Sequence, residues 1–214
     1  MALNKLKFNS INVTPAANKA LKFNSSADGF ETGSAGGAMT FISKATASSS
    51  STISITSGID STYKEYLFIF KNIHPGTDGT RFTFQGDTGT NTNYNQTITS
   101  LFFYVQQGES NDPLLAYGPG QDQSQGTGFQ DLSLGIDSDG NDSNFCGFLH
   151  VFNPSSSTFV KHFIGTTQLV GNGYYSYGNY SAGYFNTTTA ITRFQFKMSS
   201  GNIDAGTITL YGIN

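Results

Sequence analysis

Tryptophan is absent, cysteine occurs once, proline five times, and only 12% of the 214 side chains are charged. The charged fraction is about half the usual ~25%. The lone thiol, Cys146, excludes a disulfide framework within one chain and a multi-cysteine zinc site. It lies in the apolar run from Phe145 to Phe152 and reads as a buried, inert thiol. No apolar run approaches the roughly 18 residues of a membrane-spanning helix. The N-terminal stretch lacks the continuous apolar core of a signal peptide, so the chain is expected to stay in the cytoplasm where it is made unless it leaves inside an assembly. A net charge of −3 gives no electrostatic footprint for nucleic acid. Low charge combined with 36% hydrophobic residues argues against a disordered chain.

What is present points one way. Nineteen Phe, 11 Tyr and 25 Gly accompany abundant Ser, Thr and Asn, while the strong helix formers Leu, Lys and Glu are scarce. Aromatic and β-branched residues suit pleated, half-buried strands, and the small polar residues suit turns. The composition is that of an all-β protein.

Charge and repetition set the N-terminal segment apart. Lys5, Lys7, Lys19, Lys22 and Lys44 face only Asp28 and Glu31, whereas the remainder carries six Lys and Arg against twelve acids. A basic arm ahead of an acidic body suits docking on an acidic partner. Leu6-Lys7-Phe8-Asn9-Ser10 recurs at Leu21-Lys22-Phe23-Asn24-Ser25. Each copy is too small to bury a core and is expected to lie against something else. Between them, Thr14-Pro15 with Ala16, Ala17 and Ala20 could open a short helix. Gly33-Ser34-Ala35-Gly36-Gly37 reads as a joint, which divides the chain into an arm, residues 1–37, and a body, residues 38–214.

Strand signals crowd the body: Met39 to Thr46, Thr52 to Thr56, Tyr63 to Phe70, Arg81 to Gln85, Thr97 to Gln106 and Leu114 to Tyr117. They continue at Phe129 to Ile136, Phe145 to Phe152, Thr158 to Thr166, Ser181 to Phe185, Ile191 to Met198 and Thr207 to Tyr211. Tyr66-Leu67-Phe68-Ile69-Phe70 is apolar without alternation, the pattern of a central strand buried on both faces. Phe145 to Phe152 and Thr158 to Thr166 form an expected hairpin across Pro154, with Phe159 and Phe163 on one face. No helical crossovers separate these runs, so the expectation is an antiparallel β-sandwich, jelly-roll-like, with an extended N-terminal anchoring arm.

Chemistry is harder to find. His74 precedes Pro75 at a strand end, while His150 and His162 could face one another across the hairpin. Too few further ligands accompany them for zinc. There is no Gly-x-Ser-x-Gly elbow and no dinucleotide or phosphate loop. Asp137-Ser138-Asp139-Gly140-Asn141-Asp142 has the acid spacing of a calcium loop, but Asp142 and Phe148 stand where an EF-hand needs Gly and Glu. A turn is the simpler reading, with Asp137, Asp139 and Asp142 kept as a weak calcium candidate. From Gly171 to Tyr184, Tyr174, Tyr175, Tyr177, Tyr180 and Tyr184 are interleaved with Gly, Ser and Asn. That mixture serves adaptable binding surfaces, subunit interfaces and plain packing alike. No catalytic residues and no cofactor are expected.

The strings Ser57-Gly58-Ile59-Asp60-Ser61-Thr62-Tyr63, Tyr66-Leu67-Phe68-Ile69-Phe70 and Asn72-Ile73-His74-Pro75, together with the ending from Phe196 to Ile213, resemble virion structural proteins of marine, cyanophage-like tailed bacteriophages. Residues 21–38 are similar to the joint that precedes head domains in phage fibres. The resemblance covers most of the chain but rests on strings, not on a catalytic signature. It implies a non-enzymatic virion component made in the host cytoplasm and released by lysis, held by Leu6, Lys7, Phe8, Leu21, Lys22 and Phe23 to other virion proteins. It further implies a self-associating homotrimer and a tail fibre or adhesin role, with host surface glycan as a partner of the tyrosine tract. A head decoration or head fibre, and a stand-alone carbohydrate-binding module, are the alternatives. Neither nucleic acid nor membrane insertion is expected.

Overall fold

The computed structural model describes residues 13–14, 16, 19–34, 37–89, 92–140, 143–171 and 173–214. Backbone contacts divide the chain into two compact units, Met1–Ala38 and Met39–Asn214. Among the described residues every regular element is a strand.

The first unit is a hairpin of β1 (Lys19–Phe23) and β2 (Phe30–Ser34), antiparallel, with Phe23 opposite Phe30. Asn24 closes its loop: its amide N–H donates to the Gly29 carbonyl at 3.0 Å, and its side chain donates to Asp28 at 2.9 Å. The Phe23 and Phe30 rings stack at 4.9 Å, and Lys22 pairs with Glu31 at 3.0 Å. Two expectations change here. Ala20 lies in β1 and not in a helix, because Lys19 to Phe23 pair residue by residue with Ser34 to Phe30, placing Lys19, Leu21 and Phe23 on one face and Ala20 on the other. Gly33 and Ser34, expected to open the joint, complete β2.

The second unit is an antiparallel β-sandwich. Its strands are β3 (Met39–Thr46), β4 (Ile53–Ile55), β5 (Glu65–Pro75), β6 (Phe82–Asp87), β7 (Ile98–Gly108), β8 (Leu114–Tyr117), β9 (Ser124–Gly126) and β10 (Gln130–Asp131). They continue with β11 (Phe145–Phe152), β12 (Lys161–Gly171), β13 (Tyr175–Phe185), β14 (Arg193–Met198) and β15 (Ile203–Ile213). One sheet has the order β3-β15-β5-β11-β12-β13-β7-β8, with β9 also on β7; the other has the order β10-β6-β14-β4. The chain passes from sheet to sheet at β3–β4–β5–β6–β7 and again at β13–β14–β15, which gives the sandwich its jelly-roll-like winding.

Phenylalanine fills the space between the sheets. Phe82, Phe84, Phe194 and Phe196 of the small sheet meet Phe68, Phe70, Phe145, Phe163 and Phe185 of the large one. Phe68 to Phe194, Phe70 to Phe82 and Phe84 to Phe163 are edge-on contacts at 5.3, 5.3 and 5.1 Å. Edge-to-face rings add about 0.5–1.5 kcal/mol each beyond their burial. The layer closes because glycine stands beneath a ring: a Cβ on Gly183 would come within 2.8 Å of the Phe163 ring and 2.5 Å of the Thr99 carbonyl.

Buried polar side chains tie the long connections to this layer. Gln85 donates to the carbonyls of Gln96 and Gly128 at 3.0 and 2.8 Å. Gln130 accepts from Ser100 Oγ at 2.6 Å and donates to the Gln121 carbonyl at 2.8 Å. Each pins a loop that has no strand ladder of its own, so its backbone groups are satisfied from the side.

Strand boundaries depart from the sequence reading in instructive places. Phe159 is not on a strand; it is 69% exposed in the turn before β12, while Phe163 is in the core. Phe129 to Ile136 yields only the two residues of β10, because Leu132, Ser133 and Ile136 bond as loop: the Leu132 N–H donates to the Phe82 carbonyl at 2.9 Å and that of Ile136 to the Thr80 carbonyl at 2.8 Å. The last tyrosine-rich strand begins at Tyr175 instead of Ser181, its eleven residues pairing fully with β12 and β7.

Candidate interaction surface

Register divides the side chains of the large sheet between its two faces. Ile98, Phe102, Phe163, Leu149 and Phe68 point to the small sheet and are fully buried. Their neighbours point the other way: Leu101, Phe103 and Val105 on β7, Tyr180 and Tyr184 on β13, His162 and Ile164 on β12, and Phe148, His150 and Phe152 on β11. Phe103 and Tyr180 stack across two strands at 4.9 Å, and His162 meets Tyr184 at 5.9 Å. His150 lies between Phe148 and Phe152, at 5.4 and 6.0 Å, and its Nδ1 engages Glu65 of β5. A shallow groove of about 350 Å³ crosses this face where small residues interrupt the rings, with Leu101, Ile164, Ala182 and Tyr184 along it.

The tyrosine tract is therefore not one surface. Tyr180 and Tyr184 belong to the outer face, whereas Tyr177 packs at the margin of the core against Tyr104, 6.0 Å away. Tyr175 donates to Asp112 Oδ2 at 2.9 Å, and that bond raises the affinity of its phenol for the proton. Tyr174 precedes the strand in a left-handed turn (φ 59°) and is 64% exposed, beside a cleft lined by Gln107, Glu109, Val170 and Ser176. Alternation along a strand sends neighbouring residues to opposite faces, which composition cannot show.

The remaining candidates resolve into local structure. Asp137 Oδ1 accepts the Asp139 N–H at 2.9 Å, and Ser143 Oγ donates to the Asp139 carbonyl at 2.6 Å, the bonds of a tight turn. Asp142 lies outside the described residues, as do Leu6, Lys7 and Phe8 of the first repeat. Among the described residues no three His, Cys, Asp or Glu side chains gather closely enough to hold a metal ion. His150 stands opposite Ile164, one step from His162, so the two histidines share a face without facing each other. Cys146 is half-buried, its sulfur accepting the Asn72 N–H at 3.3 Å. The expected full burial fails because Cys146 points to the outer side of β11.

Leu21, Lys22 and Phe23 of the second repeat sit in β1. Leu21, Phe23 and Phe30 are 42%, 65% and 45% exposed. Among the described residues of the sandwich, burial displaces one carboxyl group and one ammonium group from their ordinary range. Burial pushes Asp131 up to about 7, against the pull of the Arg81 guanidinium 2.9 Å away. Burial also lowers Lys161, whose ammonium donates to the carbonyls of Ser156, Phe159 and Thr187 at 2.6, 2.8 and 3.1 Å. Neither lies in a cleft with partners for chemistry; both tie loops to strand ends.

The outer face was missed in the sequence, although a signal for it exists. Leu101-Phe102-Phe103-Tyr104-Val105 and Tyr66-Leu67-Phe68-Ile69-Phe70 are apolar at both parities. Comparison with family models, with curated proteins and with solved structures gives no match to this chain.

Proposed function

We propose that this chain is a non-enzymatic structural protein of a tailed bacteriophage particle, fixed by its Met1–Ala38 unit and displaying the sandwich, as a tail fibre or adhesin-type component. The observation that carries the reading is the hairpin β1–β2. An isolated two-stranded hairpin is at best marginally stable in water, and this one exposes Leu21, Phe23 and Phe30 together. An element of that kind is completed by a surface it docks on. The lysine excess of this segment in the sequence, Lys5, Lys7, Lys19 and Lys22 against Asp28 and Glu31, and the resemblance of residues 21–38 to joints of phage fibres support an acidic site on the particle as that surface.

In the adhesin role, host glycan is taken beside Tyr174. An exposed ring stacks on a sugar face, and Gln107, Glu109 and Ser176 line the adjoining cleft with groups that bond hydroxyls. A head decoration shares the arm and the sandwich but has no use for this cleft.

Two experiments separate the parts of the proposal. Particles grown with a chain lacking residues 1–38 should lose this protein while the sandwich accumulates soluble and folded; normal incorporation overturns the anchor. Tyr174→Ala should reduce adsorption to host cells without changing incorporation, and unchanged adsorption removes the adhesin role.

A further inference from the structure

The outer face of the large sheet is built like an inner one. Leu101, Phe103, Val105 and Phe148 are 41%, 38%, 47% and 39% exposed, and Tyr180 and Ile164 join them into a continuous apolar band across β7, β13, β12 and β11. At the outward positions of these four strands and of β8 there is no Asp, Glu, Lys or Arg. With 12% of the chain charged, about two to three charges are expected over that many positions, and the nearest is Glu65 of β5, which engages His150 at the edge of the band. Depletion of charge with enrichment in Phe, Tyr and Leu is the composition of an interface centre.

Size points the same way. In the band, β7, β13 and β12 run 11 residues and β11 runs eight. Four strands about 4.8 Å apart and about 26–33 Å long present roughly 600 Å². Two copies joined by this face bury about 1,200 Å² in total, the lower end of the range for stable interfaces. On β5 the outward Leu67 is already buried, at 8% exposure, so the open part of this face lies over β7, β13, β12 and β11.

We infer that copies of this chain associate through the outer face of the large sheet, the band of β7, β13, β12 and β11 being buried against the same band of further copies. A second copy carries a surface of the same length, apolarity and lack of charge, so the face is matched to itself in composition. The inference does not depend on the virion proposal, since it is tested on the purified protein.

The test joins mass in solution to side-chain accessibility. Light scattering of the full chain after size exclusion, at micromolar concentration, should give a multiple of 22.9 kDa. The double variant L101K/F148K should fall to a single 22.9 kDa chain with an unchanged circular dichroism spectrum. Hydroxyl-radical footprinting of the unaltered protein covers the case in which that variant fails to fold. Phe103 and Phe148 should label several-fold less than Phe159 and Tyr174, which are exposed away from the band. A monomeric wild-type chain, or an L101K/F148K oligomer of undiminished mass, overturns the inference. So does a monomer in which Phe103 and Phe148 are protected, since the covering element would then be the chain's own arm.

Discussion

The inner and outer faces of the large sheet are made from alternate residues of the same strands, and both are apolar, yet among the described residues of the sandwich only the inner one is covered by a second sheet. On β7, Phe102 is fully buried while Leu101 and Phe103 on either side are 41% and 38% exposed. The inner face is filled by rings from the small sheet, and its polar groups are spent on loops. The outer face has aromatic pairs of its own, Phe103 with Tyr180 and His162 with Tyr184, but no second sheet among the described residues of the sandwich. Apolarity alone therefore does not mark the protomer core; the difference lies in what is packed opposite.

The comparison is most sharply tested from the inner side. Phe196 touches Phe68 and Phe70 across the sandwich and Phe82 and Phe84 beside it in the small sheet, so Phe196→Ala should cost about 3–5 kcal/mol in chemical denaturation. A loss below about 1 kcal/mol would show that the inner layer is not tightly packed.

Asp131 offers the next effect. Its folded-state pKa, about 7, lies above the ordinary value of 3.8, so the folded state holds a proton that the unfolded chain releases. Stability should be greatest below about pH 4 as far as this group is concerned, and should decline as pH rises toward 7. Asp131→Asn should remove that decline; identical pH profiles for the two proteins would show that Asp131 ionises at no cost.

Lys161 is the third. Its ammonium donates to three loop carbonyls, and Lys161→Met should destabilise by about 1–3 kcal/mol through the unsatisfied acceptors. The smallest effect belongs to the outer face. In a dissociated protomer, Val105→Thr should change stability by no more than about 0.5 kcal/mol, because the site is open to solvent. A loss comparable to that at Phe196 would mean that the outer face is covered within a single chain.

Much of this was readable beforehand. Met39–Thr46, Leu114–Tyr117 and Phe145–Phe152 are strands at the expected bounds, because β-branched and aromatic runs bounded by turn residues leave few other options. Residues 175–180 were not legible as strand: glycine, serine and asparagine dilute their propensity, and only pairing with β12 and β7 on both sides makes them one. Phe159 misled for the opposite reason, since spacing suggested a sheet face where Ser156 bonds the Thr158 and Phe159 amides into a turn. The tyrosine tract was legible as aromatic but not as two-faced. Which parity faces the core depends on long-range register, and no local pattern contains it.

The measurement that bears most directly on the proposed role is quantitative mass spectrometry of purified phage particles, read as copies of this chain per major capsid subunit. The account predicts its presence at tens of copies or fewer per particle, as a fibre or tail component. Hundreds of copies would move it to the head as a decoration, and absence from the particle would contradict the virion reading altogether.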